Sequence, residues 1–512
     1  MLTPDGHSAK KIEKVMLLSL WANHLKEELS HKKMIFAGLG RPTYPINSHT
    51  IKSYLSYWLR LDELSTQWHL NPELVDDAAI DYGDPRGDKE PRTLMAGIMS
   101  EWYGVEVKAE HILFTVGGIG GLRAIFDTLN THFEDSPGYR IITPFPHYSV
   151  YSNNNVHQLH PIPVMDTPGY KLTAKVMHES IQEAYRLAET DHGWPKAILI
   201  CNPSNPLGTI IDKEELLKIA AVLREYPELY IILDEAYAEL SFSAMPSFLN
   251  SAPDLKNRTI ILRSATKALS AAGERMAILL VFDSGLMNEL LNKNINYFIH
   301  APRSAQLAYA ETMAQFDVQE QKKLAHFYAQ KVAYVAQRLQ QMGANMPDPL
   351  YTVEATFYVL GDFSDLFALE LPIEATRVLQ KMGPVTTDED LAYYLLFMER
   401  VMIAPLSYFG LAKNSGFMRI TCSAPQAELK ELMDRLESLL STTRQMKKNQ
   451  VLAQINQALS QLSAKDQRTY ERIIAKITEL NYEEKNCLVL KKHLTILNQS
   501  QTLVDDFLLF LN

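Results

Sequence analysis

The stretch TIILRSATKALSAAGERMAILLVF, from Thr259 to Phe282, carries one lysine between two apolar runs. The β-branched residues that begin it and the run that begins at Met276 predict two buried strands. Lys267 lies between them, among small residues and near the hydroxyl of Ser264. A lysine that loses hydration has a lowered pKa, which makes its amine a nucleophile towards aldehydes. Considered alone, a single lysine after a strand is far more often a surface residue than a catalytic one.

A hydroxyl and a guanidinium flank this lysine. Ser264 precedes Lys267 by three residues and Arg275 follows it by eight, so both side chains could contact one anion near the amine. S-x-x-K followed by G-x-R resembles the lysine segment of the class I and II aminotransferases, which use pyridoxal 5'-phosphate (PLP). The resemblance implies that Lys267 binds PLP covalently and that Ser264 and Arg275 hold its phosphate.

Composition limits the classes of partner. The net charge of -10 argues against a nucleic-acid partner, because phosphate binding needs a basic face. Cys201, Cys422 and Cys487 lack paired or metal-site spacing, which predicts a reducing compartment, the cytoplasm, and no metal site. No apolar run approaches the length of a membrane span, so we expect no membrane partner.

The alternation of predicted strands and helices favours an α/β protein with a mostly parallel sheet flanked by helices. The resemblance covers roughly residues 35 to 440 and implies the fold type I of PLP-dependent transferases, with a smaller α/β domain and, beyond it, extra C-terminal helices. We expect four parts: residues 1–50 as an N-terminal arm and part of the small domain, 51–325 as the large PLP-binding domain, 326–440 as the small domain, and 441–512 as a helical extension.

A glycine-rich turn follows a predicted strand at Ile112 to Thr115 and precedes a predicted helix. Such a turn can hold a phosphate, because unpaired backbone N–H groups and the positive end of a helix face the anion together. The glycines could equally permit tight helix packing. In the resembled family, Gly118 and Ile119 would supply backbone donors. Ile119 replaces the polar side chain often found there, a departure that implies one phosphate contact fewer than in the family pattern.

Three further segments match cofactor contacts of the family. In PFPHYSVY, Tyr148 would stack on the cofactor ring, although a core tyrosine is the alternative. In NPSNPLG, Asn205 would bond the phenolic oxygen of the ring and border the substrate, although turn chemistry alone explains the motif. In LDEAY, Asp234 ends an apolar strand and needs a cationic partner, which the ring nitrogen would provide. Tyr237 would donate to the phenolic oxygen.

The resemblance also assigns substrate and subunit contacts. The backbone N–H of Gly40, in GLGRPTYP, would face the substrate carboxylate. Arg419 would form a bidentate pair with that carboxylate, which a lysine cannot imitate. Tyr82 would reach the cofactor phosphate of a neighbouring subunit, which predicts a homodimer. Without the resemblance, Tyr82 is merely an exposed turn tyrosine.

These residues predict a PLP-dependent aminotransferase that moves an amino group from an amino acid to a 2-oxo acid. Decarboxylation, β-elimination and cyclisation on the same fold are alternatives, as are a PLP-binding regulator and a catalytically silent interaction protein. Dicarboxylate-specific members of the family use an additional arginine for the distal carboxylate of the substrate. Arg303 is the candidate for that arginine, although its spacing matches the family only loosely. We therefore expect a neutral or aromatic amino donor. The amphipathic C-terminal helices are expected to dock on this protein or a partner.

Overall fold

The computed structural model describes residues 1–10, 12–28, 31–74, 78–131, 139–152 and 157–459. The predicted C-terminal helices fall mostly on residues 460–512, so the prediction about their docking lies outside the described residues. Within the described ranges, no helix is both long enough and apolar enough to span a bilayer.

Twelve strands are present in the described residues. They are β1 (Ile35–Phe36), β2 (Ile112–Val116), β3 (Tyr139–Phe145), β4 (His157–Pro163), β5 (Pro195–Cys201), β6 (Tyr230–Asp234), β7 (Thr259–Ser264), β8 (Met276–Val281), β9 (Tyr358–Asp362), β10 (Val401–Met402), β11 (Ala404–Pro405) and β12 (Phe417–Thr421). The two strands predicted on either side of Lys267 are β7 and β8, so this part of the prediction is confirmed.

The α-helices of the same ranges are α1 (Lys14–Glu27), α2 (Ser48–Leu70), α3 (Lys89–Tyr103), α4 (Gly117–Thr131), α5 (Ala174–Asp191), α6 (Lys213–Arg224), α7 (Phe248–Ser251), α8 (Ala265–Ala268), α9 (Ser284–Phe298), α10 (Arg303–Ala314), α11 (Val318–Gln341), α12 (Ile373–Leu379), α13 (Asp388–Tyr394) and α14 (Gln426–Leu459). Several begin at side-chain caps. Asp212 caps α6 and Asp283 caps α9, where each carboxylate accepts a backbone N–H that has no partner within the helix.

Seven strands form the main sheet in the order β2-β8-β7-β6-β5-β3-β4. Only β8 runs antiparallel to its neighbours, so the prediction of a mostly parallel sheet is confirmed. Alternate residues face opposite sides, because side chains alternate along a strand. Ile260 and Leu262 of β7 belong to the core on one face, and Ile261 to the core on the other. A sheet buried on both faces explains the continuous apolar runs in the sequence.

A smaller antiparallel sheet, ordered β11-β12-β9, lies after α11 in the chain. The N-terminal segment returns to this part of the protein, because β1 pairs in parallel with β10 through Ile35 and Val401. The N-terminal segment, which precedes the large sheet in the sequence, is therefore held next to residues that lie more than 300 positions later. This return places Gly38 and Gly40 next to β12 and its arginine.

Candidate active site

The carboxyl ends of β5, β6 and β7 open on a cavity of about 480 Å³. Parallel strands end at the same edge of a sheet, where α/β proteins place their ligands. Eleven of the twelve predicted site residues line this cavity: Gly40, Gly118, Ile119, Tyr148, Asn205, Asp234, Tyr237, Ser264, Lys267, Arg275 and Arg419. Tyr82 lies outside the cavity and is 74% exposed.

Lys267 lies in α8, directly after β7, and its Nζ donates a hydrogen bond to the Gly40 carbonyl at 2.5 Å. Desolvation of the amine lowers its pKa to about 7, with Arg419 and Arg275 acting in the same direction and Asp234 against them. A solvated lysine has a pKa near 10.4. About half of these amines are therefore neutral at pH 7, in the form that reacts with an aldehyde.

Asp234, the last residue of β6, is buried at the base of the cavity. Its Oδ2 accepts from the Tyr151 hydroxyl at 2.6 Å and its Oδ1 from the Ala236 amide at 3.2 Å. Burial raises the pKa of the carboxyl, and these bonds together with Lys267 partly offset the rise. Both hydrogen-bond donors are neutral, so the carboxylate can still pair with a cation in the cavity.

Tyr151 was missed as a site residue by the sequence analysis, although it is the second tyrosine of the PFPHYSVY segment. It is fully buried, and its ring stacks at 6.0 Å on the ring of His147. The evidence for a role in the site is the hydrogen bond from its hydroxyl to Asp234. This bond joins residues 83 positions apart, so nothing in the local sequence indicated it. The tyrosine fixes the orientation of the carboxylate.

Arg419, on β12, points its guanidinium into the cavity between two aromatic rings. Nη1 donates to the Asn205 side chain at 2.8 Å and Nη2 to the Gly38 carbonyl at 2.7 Å. The guanidinium carbon lies 4.1 Å from the Tyr358 ring centre and 4.5 Å from that of Phe409. Its Nε is buried and has no hydrogen-bond partner among the described residues. A planar anion would satisfy the remaining donors.

Tyr358, on β9, is a second residue that the sequence analysis missed. Its hydroxyl lies 2.6 Å from the Tyr237 hydroxyl. A Cβ on Gly40 would lie 2.0 Å from the Tyr358 hydroxyl, so a larger residue at position 40 would displace it. Because Gly40 has no side chain, there is space beside it for the Tyr358 hydroxyl and for the Lys267 amine. That amine donates to the Gly40 carbonyl.

The amino end of α4 forms an anion cradle with Arg275. Gly117, with φ of 67°, begins the helix, and a Cβ there would lie 2.5 Å from Arg275 Nη2. The first N–H groups of a helix, here near Gly118 and Ile119, have no partner within it. Ser264 is the N-cap of α8 and lines the same cavity. The cradle combines a helix end, a guanidinium and a hydroxyl, as an oxyanion requires.

Tyr82 and Arg303 lie near one another, outside the cavity. Tyr82 contacts the ring of His300 edge-on at 6.0 Å. Arg303 donates to Asp88 at 2.7 Å from Nε and to the Asp81 carbonyl at 3.3 Å from Nη1. Within one protomer, neither side chain can contact a ligand in the cavity.

Comparison with known proteins agrees with this geometry. A family model described as aminotransferase class I and II matches residues 65–436. The aspartate aminotransferase of Pinus pinaster is 24% identical over 378 residues, covering 72% of this chain and 70% of the relative, and that of Pyrococcus horikoshii is 24% identical over 376 residues, covering 72% and 84%. The crystal structure of the Rhizobium meliloti aspartate aminotransferase matches with a TM-score of 0.65 at 18% identity, covering 85% and 97%.

A mostly parallel sheet with a reactive lysine and an anion cradle at its carboxyl edge defines a PLP-dependent enzyme of fold type I. The chain belongs to the class I and II aminotransferase family. It is a PLP-dependent aminotransferase. The residues present fit that cofactor: an amine for its aldehyde, a buried carboxylate with only neutral partners for its ring nitrogen, and a cradle for its phosphate.

Proposed function

We propose that Lys267 Nζ holds the aldehyde of PLP and that Asp234 pairs with the ring nitrogen. The α4 terminus, Ser264 and Arg275 hold the phosphate. The observation that carries this assignment is the lowered pKa of an amine that shares one cavity with a buried carboxylate. When bound, PLP supplies a ring that accepts electrons from the substrate α-carbon.

The proposal extends to three other predicted cofactor contacts, which line the same cavity. Tyr148 packs against the ring, while Asn205 and Tyr237 contact the phenolic oxygen. Asn205 and Tyr237 are each held by a residue of the small sheet, Arg419 and Tyr358 respectively.

We propose that Arg419 and the Gly40 amide bind the α-carboxylate of the amino donor and of the 2-oxo acid acceptor. Lys267, once its amine is free, moves the proton at the α-carbon. A neutral or aromatic donor is favoured over a dicarboxylic one, because Arg303, the candidate for a distal-carboxylate contact, is already ion-paired with Asp88 and bonded to the Asp81 carbonyl. We also propose that the enzyme acts in the cytoplasm, with domain limits near residues 50, 325 and 440.

Reductive labelling tests the assignment of the lysine. Borohydride reduction of the PLP-loaded protein, followed by peptide mapping, is expected to place the cofactor on the peptide that contains Lys267, because its amine is neutral and faces the cavity. Other lysines provide the internal control, since solvated amines are almost fully protonated at pH 7. A label on any other peptide, or no bound cofactor at saturating PLP, overturns the assignment.

A homodimer with shared active sites is the second proposal. One face of α2 exposes four large apolar side chains, Ile51, Leu55, Trp58 and Leu59. Apolar patches of this kind on soluble proteins mark interaction surfaces. Tyr82 is exposed by 74% and lies outside its own cavity, as expected of a residue that completes the site of a neighbouring copy.

Mixing two inactive variants tests shared sites. Tyr82→Ala and Lys267→Ala subunits, refolded or exchanged together, are expected to recover about one quarter of wild-type activity, because half of the dimers are hybrids with one intact site of two. Each variant treated alone is the control. If hybrids are detected by mass and the mixture stays inactive, the sites are not shared.

A further inference from the structure

A carboxylate in the cavity wall has no part in the chemistry above. Glu13 is the N-cap of α1 and lines the cavity beside Val15 and Met16. Its Oε2 accepts the Met16 amide at 2.8 Å. The second oxygen, Oε1, remains available for another hydrogen bond. Nearby, Leu39 and Met16 make this part of the cavity wall apolar.

Glu13 lines the same cavity as Arg419, which is proposed to bind the substrate carboxylate. Burial is the main reason that the pKa of Tyr148 is raised, and Tyr358, Asp234 and Glu13 raise it further, whereas Arg419 lowers it. The Glu13 carboxylate and the Arg419 guanidinium therefore both act on one hydroxyl. A substrate bound through its α-carboxylate to Arg419 would therefore occupy a cavity whose wall also carries this second, opposite charge.

Among the described residues, no basic side chain pairs with the Glu13 carboxylate. The adjacent Lys14 points to Glu389 instead, at 3.0 Å. Arg123 also lines the cavity, and its Nε donates to Asp127 at 2.8 Å, so this guanidinium already has an anionic partner.

We propose that Glu13 determines donor specificity: it favours amino acids whose side chain ends in an ammonium group and disfavours those that end in a carboxylate. The inference rests on the proposed binding of the α-carboxylate by Arg419, and it refines the expected donors: those with a distal ammonium group rank above neutral ones, which rank above dicarboxylic ones. Glu13 is partly exposed, so the attraction is screened by solvent. A preference of about fivefold is expected for each change of charge.

Three amino donors of similar length differ mainly in the charge at the end of the side chain: L-lysine, L-norleucine and L-2-aminoadipate. In the wild-type enzyme, kcat/KM is expected to fall in that order. Glu13→Gln is expected to reduce lysine turnover and increase aminoadipate turnover, each about fivefold relative to norleucine, while the amide oxygen keeps the bond to Met16. Glu13→Asp retains the charge and is expected to retain the order. High salt reduces the differences in wild type.

Glu27→Gln is the matched control, because Glu27 lies on the exposed end of the same helix, about 20 Å away. It is expected to leave the three ratios unchanged. Equal kcat/KM for the three donors in wild type, or unchanged ratios in a folded Glu13→Gln protein, overturns the inference while the proposed function stands. Failure of wild type to convert any of these or other amino acids overturns the proposed function itself.

Discussion

Replacing Lys267 with alanine is expected to lower kcat by at least about 10³-fold for every amino donor. The amine is proposed both to hold the cofactor and to move the α-proton, and general acid-base catalysis by one positioned side chain alone contributes about 10² to 10⁴. The variant should also lose the absorbance of lysine-bound PLP. Single-turnover kinetics followed at the cofactor band measure both effects.

Lys175→Ala is the control for this variant, because Lys175 is a surface lysine whose side chain is 86% exposed. It is expected to match wild type in turnover and absorbance. Wild-type turnover by a folded Lys267→Ala protein would remove the lysine from the mechanism.

Because the pKa of Lys267 is lowered, the rate of PLP uptake is expected to depend on pH near neutrality. The rate at which the cofactor-free protein takes up PLP is expected to rise with pH, to reach half its maximum near pH 7, and to level off above it. The sign follows because only the neutral amine attacks the aldehyde, and the pKa of the amine in the folded protein is about 7. A midpoint near 10 would show that the amine is solvated.

Arg419→Lys is expected to lower kcat/KM by about 10²-fold or more for amino acids and 2-oxo acids alike. A lysine keeps the charge but cannot supply two parallel N–H donors, and removal of a buried charge-pair contact costs about 2–5 kcal/mol. It also loses the contacts that the planar guanidinium makes with Asn205 and Gly38. Steady-state kinetics with one donor and one acceptor measure the loss.

Cofactor absorbance separates this effect from misfolding, because Arg419 is not assigned to hold PLP. The variant is expected to bind PLP with the spectrum of wild type. Arg338→Lys is the control, since Arg338 pairs with Asp434 and Glu437 away from the cavity. If Arg419→Lys keeps its affinity for amino acids and 2-oxo acids, another group binds the carboxylate.

Local sequence predicted an α/β fold, whereas fold type I and the cofactor were implied by the resemblance to the class I and II aminotransferases. The apolar strands with helices between them predict a mostly parallel sheet, because a sheet covered on both faces requires continuous apolar strands. The groups around Lys267 were also readable from the sequence. Ser264 and Arg275 are close to the lysine along the chain. Because only a strand end and a short turn separate them, their side chains can adopt few positions relative to the lysine.

Only the tertiary structure showed the contacts that orient these groups. Tyr151 reaches Asp234 across 83 positions, and Arg419 reaches Asn205 across 214. Glu13 enters the cavity from the first helix, which lies far along the chain from the residues it faces. The pKa of Lys267 likewise depends on the water excluded and on the two arginines brought near by folding. Sequence patterns record neighbours along the chain, whereas desolvation and charge pairing depend on distances in space, which packing of remote segments decides.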